Sequence, residues 1–215
     1  MLAFIFDMDG LMLDTQALAH QALKMASKDF GFLLTSPMCD AVRGLNESNT
    51  VQYLESYLGI TIPEREYISR FHSYYQQLLD INIPIKSGLI ELLDFLESYK
   101  IPKAIATSTS YDLAIRKLEN TNLRDRFPTI VGGDHVERGK PFPDIFILAA
   151  DKLSINPCSC YVLEDSDAGI EAAFEAGMKP IMVPDGNTPS DESKHRAIKI
   201  YASLKDVLDY ATRLI

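Results

Sequence analysis

The sequence predicts an α/β fold, a doubly wound parallel sheet interrupted early in the chain by an all-helical insertion. Three observations carry this. Residues 3–6 are a continuous apolar run, the pattern of a strand buried on both faces. Beyond residue 100, short apolar runs alternate with stretches of helical periodicity, which implies parallel strands joined by crossover helices. Between the two, residues 15–82 carry helical periodicity and few strand signals.

Taken in order, the first run ends at Asp7-Met8-Asp9-Gly10. Residues 17–26 and 67–75 repeat apolar positions at helical spacing, with Pro37 and Pro63 as interruptions. Pro84 and Ser87-Gly88 mark the return to the core, and residues 89–99 read as an amphipathic helix that delivers the chain to a strand at 102–106. Helices are expected at 113–119, at 143–153 with Pro143 in the first turn, and at 167–176 with Gly177 as its stop. A strand is expected at 160–163, a mobile polar loop at 184–193, and a final strand and helix within 198–215. The predicted organisation is a core of residues 1–14 and 83–215 around a helical cap of residues 15–82. There is no internal repeat or low-complexity tract.

Composition excludes several roles. A formal charge of -9 over 215 residues argues against a nucleic-acid groove, which needs a basic stripe. No apolar stretch reaches bilayer length, and Met1 runs straight into the first strand without a leader pattern, so a cytoplasmic protein with no membrane partner is expected. Cys39, Cys158 and Cys160 are expected to be reduced thiols, and His72, His135 and His195 lack metal-ligand spacing.

The chemistry concentrates at strand ends, where ligands bind in parallel sheets. Asp7 and Asp9, two residues apart on extended chain, can face one site, where a cation would relieve their repulsion. An Asp-x-Asp-Gly segment is equally at home in a solvated turn. Residues 102–106 run into Thr107-Ser108-Thr109-Ser110, which could donate hydroxyls or merely cap a helix. Residues 160–163 run into Glu164-Asp165-Ser166-Asp167, with Asp167 placed to cap the next helix. Lys140 lies between, in Gly139-Lys140-Pro141-Phe142-Pro143-Asp144, and offers a compact positive charge or is an ordinary loop lysine. Hard oxygen donors without a histidine cluster point to magnesium.

The order of these four segments resembles the haloacid dehalogenase superfamily of phosphatases and phosphomutases, in its branch with a helical cap after the first motif. The stretch Ile181-Met182-Val183-Pro184-Asp185-Gly186-Asn187 is similar to pseudouridine-5'-phosphatase and its relatives. The resemblance implies a Rossmann-like core, Asp7 as nucleophile through an aspartyl-phosphate, and Asp9 as general acid and base. It also implies Thr107 and Lys140 as phosphate partners, with Met8 and Gly10 supplying backbone N–H groups. The implied Mg2+ ligands are Asp7, the backbone carbonyl of Asp9, and Asp165, with Glu164 binding directly or through water. Candidate substrate contacts are Gln16, Arg43, Asn46 and Ser108.

This chain departs from the mutases of the family. Gln16 stands where many relatives carry an acidic residue, Ala19 where mutases carry histidine, and Glu47, beyond Arg43 and Gly44, where a second arginine is expected. The expected activity is Mg2+-dependent hydrolysis of a small phosphorylated metabolite, a sugar, polyol or nucleoside monophosphate, by a monomer or weak homodimer. A hexose-phosphate mutase and a receiver-like phosphoacceptor are the alternatives.

Overall fold

The computed structural model describes residues 2–43 and 45–214. Gly44, the cap glycine beside Arg43, lies outside them. The chain divides into two compact units, residues 1–14 with 84–215, and residues 15–83.

Among the described residues, the first unit holds one six-stranded parallel sheet: β1 (Ala3–Phe6), β2 (Lys103–Ala106), β3 (Thr129–Val131), β4 (Cys160–Glu164), β5 (Lys179–Met182) and β6 (Lys199–Ile200), in the order β3-β2-β1-β4-β5-β6. The order reverses at β1, so the crevice beyond the carboxyl ends of β1, β2 and β4 is the topological switch point. Register places the candidate residues together there. Phe6 pairs with both Ile105 and Leu163, so Asp7 follows level with Ala106 and Glu164.

Both faces of β1 are buried, as its apolar run requires. Ala3 and Ile5 join a cluster with Ile145, Phe146 and Ala149 of α7 (Asp144–Leu153) and with Ala172 and Ala173 of α8 (Asp167–Glu175). On the other face Phe4 stacks on Tyr161 and Phe6 meets Phe127 edge-on. The sheet is completed by α5 (Leu89–Ser98), α6 (Tyr111–Asn120), α9 (Asp191–Arg196) and α10 (Leu204–Ala211). Three expectations need correction. Pro143 is the residue before α7 rather than within its first turn. The cap of α8 is Ser166, whose hydroxyl accepts from Gly169 N at 3.0 Å, while Asp167 is the first helical residue and accepts from Ser190 N. The supposed loop at 184–193 already contains the start of α9, capped by Ser190.

The second unit is helical: α1 (Thr15–Asp29), α2 (Ser36–Ala41), α3 (Glu47–Leu58) and α4 (Glu64–Ile81). Tyr67 is buried among Leu34, Met38, Val51 and Leu54, and its hydroxyl meets Ser27 Oγ at 2.8 Å, which satisfies a polar tip inside an apolar core. Among the described residues no helix is long and apolar enough to cross a membrane.

Candidate active site

The first residue past β1 is Asp7, whose backbone N–H donates to Leu163 O at 3.0 Å, locking the strand end onto β4. The chain then turns sharply. Met12 and Leu13 both donate to Met8 O, and Gly10 takes φ +91°, a conformation that side-chain-bearing residues rarely adopt. A Cβ at Gly10 would strike the Asp165 carboxylate, so this position is restricted by space as well as by backbone. Gly10 N–H is donated to Leu13 O at 2.9 Å, so it is not the phosphate donor expected from the sequence.

Lys140 is the electrostatic centre. Its Nζ lies 2.5 Å from Asp7 Oδ1 and 2.5 Å from Glu164 Oε1, and also donates to Ala106 O at 3.2 Å. Burial disfavours its charge, but the Asp7 and Glu164 carboxylates outweigh that and push the ammonium above its usual range. Asp7 is itself raised to about 7, chiefly by burial, with Lys140 opposing and Glu164 adding repulsion. Asp165 is raised to about 9, first by burial and then by the charges of Asp7 and Glu164.

Glu164, expected to bind the ion directly or through water, has both carboxylate oxygens engaged by protein donors. Its Oε1 takes Lys140, while Oε2 accepts from Asp165 N, Ser166 N and Ser166 Oγ at 2.9–3.0 Å. With both oxygens committed and the residue 1% exposed, it anchors Lys140 and the turn after β4. Asp7 and Asp165 do fit a dication. Two crowded carboxylates whose protonation is favoured by burial and mutual repulsion are an environment that a hard divalent ion stabilises. Among the described residues no three His, Cys, Asp or Glu side chains stand as a metal cluster. The expected set does not require one, because its third protein donor is the Asp9 carbonyl.

Thr107 is buried at the end of β2, and its Oγ1 accepts from Thr109 N at 3.2 Å. Ser108 is exposed in the same turn. The Asp9 carboxylate is gripped from this side: Thr109 Oγ1 donates to its Oδ2 and Lys117 Nζ to its Oδ1, each at 2.6 Å. Lys86, another residue the motif order does not reveal, lies 2.6 Å from Asp185 Oδ1 and 3.7 Å from Asp14 Oδ1.

The candidate substrate contacts in the helical unit divide. Gln16 and Arg43 line a cavity of about 270 Å³ together with His20, Thr50, Tyr67 and Phe71. Arg43 also donates to Asp40 at 3.1 Å. Asn46 instead caps α3, its side-chain oxygen accepting from Asn49 N at 2.8 Å. The three expected non-ligand histidines have ordinary partners: His72 meets Glu47, His135 packs on Tyr111, and His195 contacts Asp191 O.

A sheet reversing at β1, with Asp7, Thr107, Lys140 and Asp165 gathered at its carboxyl edge, defines a class of enzyme rather than a binding module. The chain belongs to the haloacid dehalogenase-like hydrolase family, whose model matches residues 4–183. It is 33% identical to the phosphorylated carbohydrates phosphatase of Thermotoga maritima over 83% of each chain. It is 32% identical to the "probable pseudouridine-5'-phosphatase" of Drosophila melanogaster, over 94% of this chain and 89% of that one. The crystal structure of the "putative beta-phosphoglucomutase" from Thermotoga maritima superposes with a TM-score of 0.88 at 28% identity, covering 100% of both chains. The relatives matched at 31–33% identity include proteins named as phosphatases.

Proposed function

We propose that the protein is a Mg2+-dependent phosphomonoesterase that hydrolyses a small phosphorylated metabolite, a sugar, polyol or nucleoside monophosphate, through an aspartyl-phosphate at Asp7. The observation that carries this is the Asp7–Lys140–Glu164 arrangement at the switch point, with the second aspartate held beside it. Asp7 attacks phosphorus, forming an Asp7 O–P bond as the ester P–O bond breaks. Asp9 gives its proton to the departing oxygen, then takes one from the water that attacks the phospho-aspartate, so phosphate leaves and Asp7 is regenerated. Lys140 and the Thr107 hydroxyl face charge on the transferring phosphoryl oxygens. Asp7, the Asp9 carbonyl and Asp165 would hold the Mg2+ ion, which would supply further neutralisation of that charge. In the helical unit, Gln16 and Arg43 are the candidate substrate contacts.

Hydrolysis is favoured over phosphate isomerisation because the cap departs from mutases at Gln16, Ala19 and Glu47. A receiver-like role is disfavoured by topology. Receivers follow the five-stranded order 2-1-3-4-5, whereas this sheet runs β3-β2-β1-β4-β5-β6. The test is acid quenching during turnover followed by peptide mass analysis. A phosphoryl group on the peptide that contains Asp7 is expected, and its absence from an enzyme in active turnover overturns the covalent route.

A further inference from the structure

The Asp9 carboxylate lies in the turn beyond β1, yet what holds it comes from the opposite side of the switch point. Lys117 Nζ reaches its Oδ1 and Thr109 Oγ1 its Oδ2, each at 2.6 Å. The two donors are themselves 3.4 Å apart, and Thr109 is fixed in turn through its N–H to Thr107 Oγ1. The burial of Lys117 is unusual. It is 3% exposed on α6, while its neighbours Arg116 and Glu119 are in solvent. With Ala114 and Leu118 it forms the buried face of that helix. Lysine is among the residues least often buried without a partner, and solubility of a surface helix is no reason to turn it inward.

We propose that Lys117, with Thr109, is the positioning residue of the proton-transfer group, fixing the plane of the Asp9 carboxylate so that an oxygen stays aimed at the leaving group and then at water. This rests on the role of Asp9 set out above. A bond to each oxygen, from side chains on two different segments, fixes the plane of the carboxylate. Geometric control of this kind appears in kcat. A group misplaced by an ångström loses transition-state contact while ground-state binding, made elsewhere, is retained.

The experiment is steady-state kinetics of the Mg2+-loaded enzyme on the best substrate of a phosphate-ester panel, using wild type, Lys117→Met, Asp9→Asn and the double variant. Lys117→Met is expected to lower kcat about ten- to a hundredfold, with KM changed by less than about threefold. In the Asp9→Asn background the same substitution is expected to change kcat by less than about twofold, because the group it positions is gone. A merely structural lysine would lower kcat equally in both backgrounds, and that result overturns the assignment, as does Lys117→Met with wild-type kcat. If Lys117→Met does not fold, Thr109→Val carries the same cycle, and equal losses in both backgrounds again overturn the proposal. A wild type that releases phosphate from no ester overturns the proposed function, and this role with it, before any variant is compared.

Discussion

Lys140→Met tests the electrostatics of the site independently of substrate. The Lys140 side chain is 5% exposed and stands between Asp7 at 9% and Glu164 at 1%. Removing the ammonium leaves two buried carboxyl groups without their cation, and stranding one partner of a buried pair costs about 3–5 kcal/mol. For a protein of this size that corresponds to a fall in Tm on the order of 10 °C. The loss should depend on pH. Asp7 titrates at about 7 in the folded protein. At pH 5 it therefore already carries a proton, and the variant loses mainly the partner of Glu164 and of the Ala106 carbonyl, about 1–3 kcal/mol. At pH 8 the wild-type Asp7 is charged beside Lys140, so the variant also loses that pairing, whether Asp7 is left as a stranded buried charge or takes up a proton in place of the ammonium. The assay is chemical and thermal unfolding of wild type and Lys140→Met in chelator at the two pH values. An equal loss at both, or a loss under about 1 kcal/mol at pH 8, would refute the reasoning.

Two further outcomes follow from the same geometry. Asp7 and Asp165 are raised from 3.8 to about 7 and about 9, so the folded state retains protons that the unfolded chain has released, and the associated stability is lost as pH rises through those values. Melting in chelator should therefore show Tm falling from pH 5 to pH 9, and added Mg2+ should flatten the fall; a flat or rising metal-free profile contradicts this. Gly10→Ala puts a Cβ against the Asp165 carboxylate in a turn at φ +91°, and Mg2+ titration of activity should show half-saturation shifted upward by about ten- to a hundredfold, as perturbed ligand support does elsewhere.

Strands β1 and β4 were legible because a strand buried on both faces must be continuously apolar, and the residues that end them must be either solvated or functional. β3 was not foreseen: Thr129–Val131 is a short run between Pro128 and Gly132, and it becomes a strand only by pairing with β2. Asp7, Lys140 and Asp165 were identifiable as candidates from the order of polar segments after apolar runs, and the structure brings them to one edge. The engagement of both Glu164 oxygens depends on backbone N–H groups at the turn after β4, which no residue pattern encodes. Lys117 was hidden for a different reason. In a helix that also carries Arg116 and Glu119 a lysine reads as solvated, and only its spacing from Ala114 and Leu118 marks the inward face. Asn46 misled in the opposite direction, since a polar residue before a helix is more economically used as its cap.

The central claim is tested most directly by phosphate release across sugar phosphates, polyol phosphates and nucleoside monophosphates, including pseudouridine monophosphate, with and without chelator, for wild type and Asp7→Asn. The account predicts Mg2+-dependent release from one class of compound, abolished by chelation and by Asp7→Asn. Release that survives in Asp7→Asn, or none from any compound alongside isomerised hexose phosphate, would contradict it.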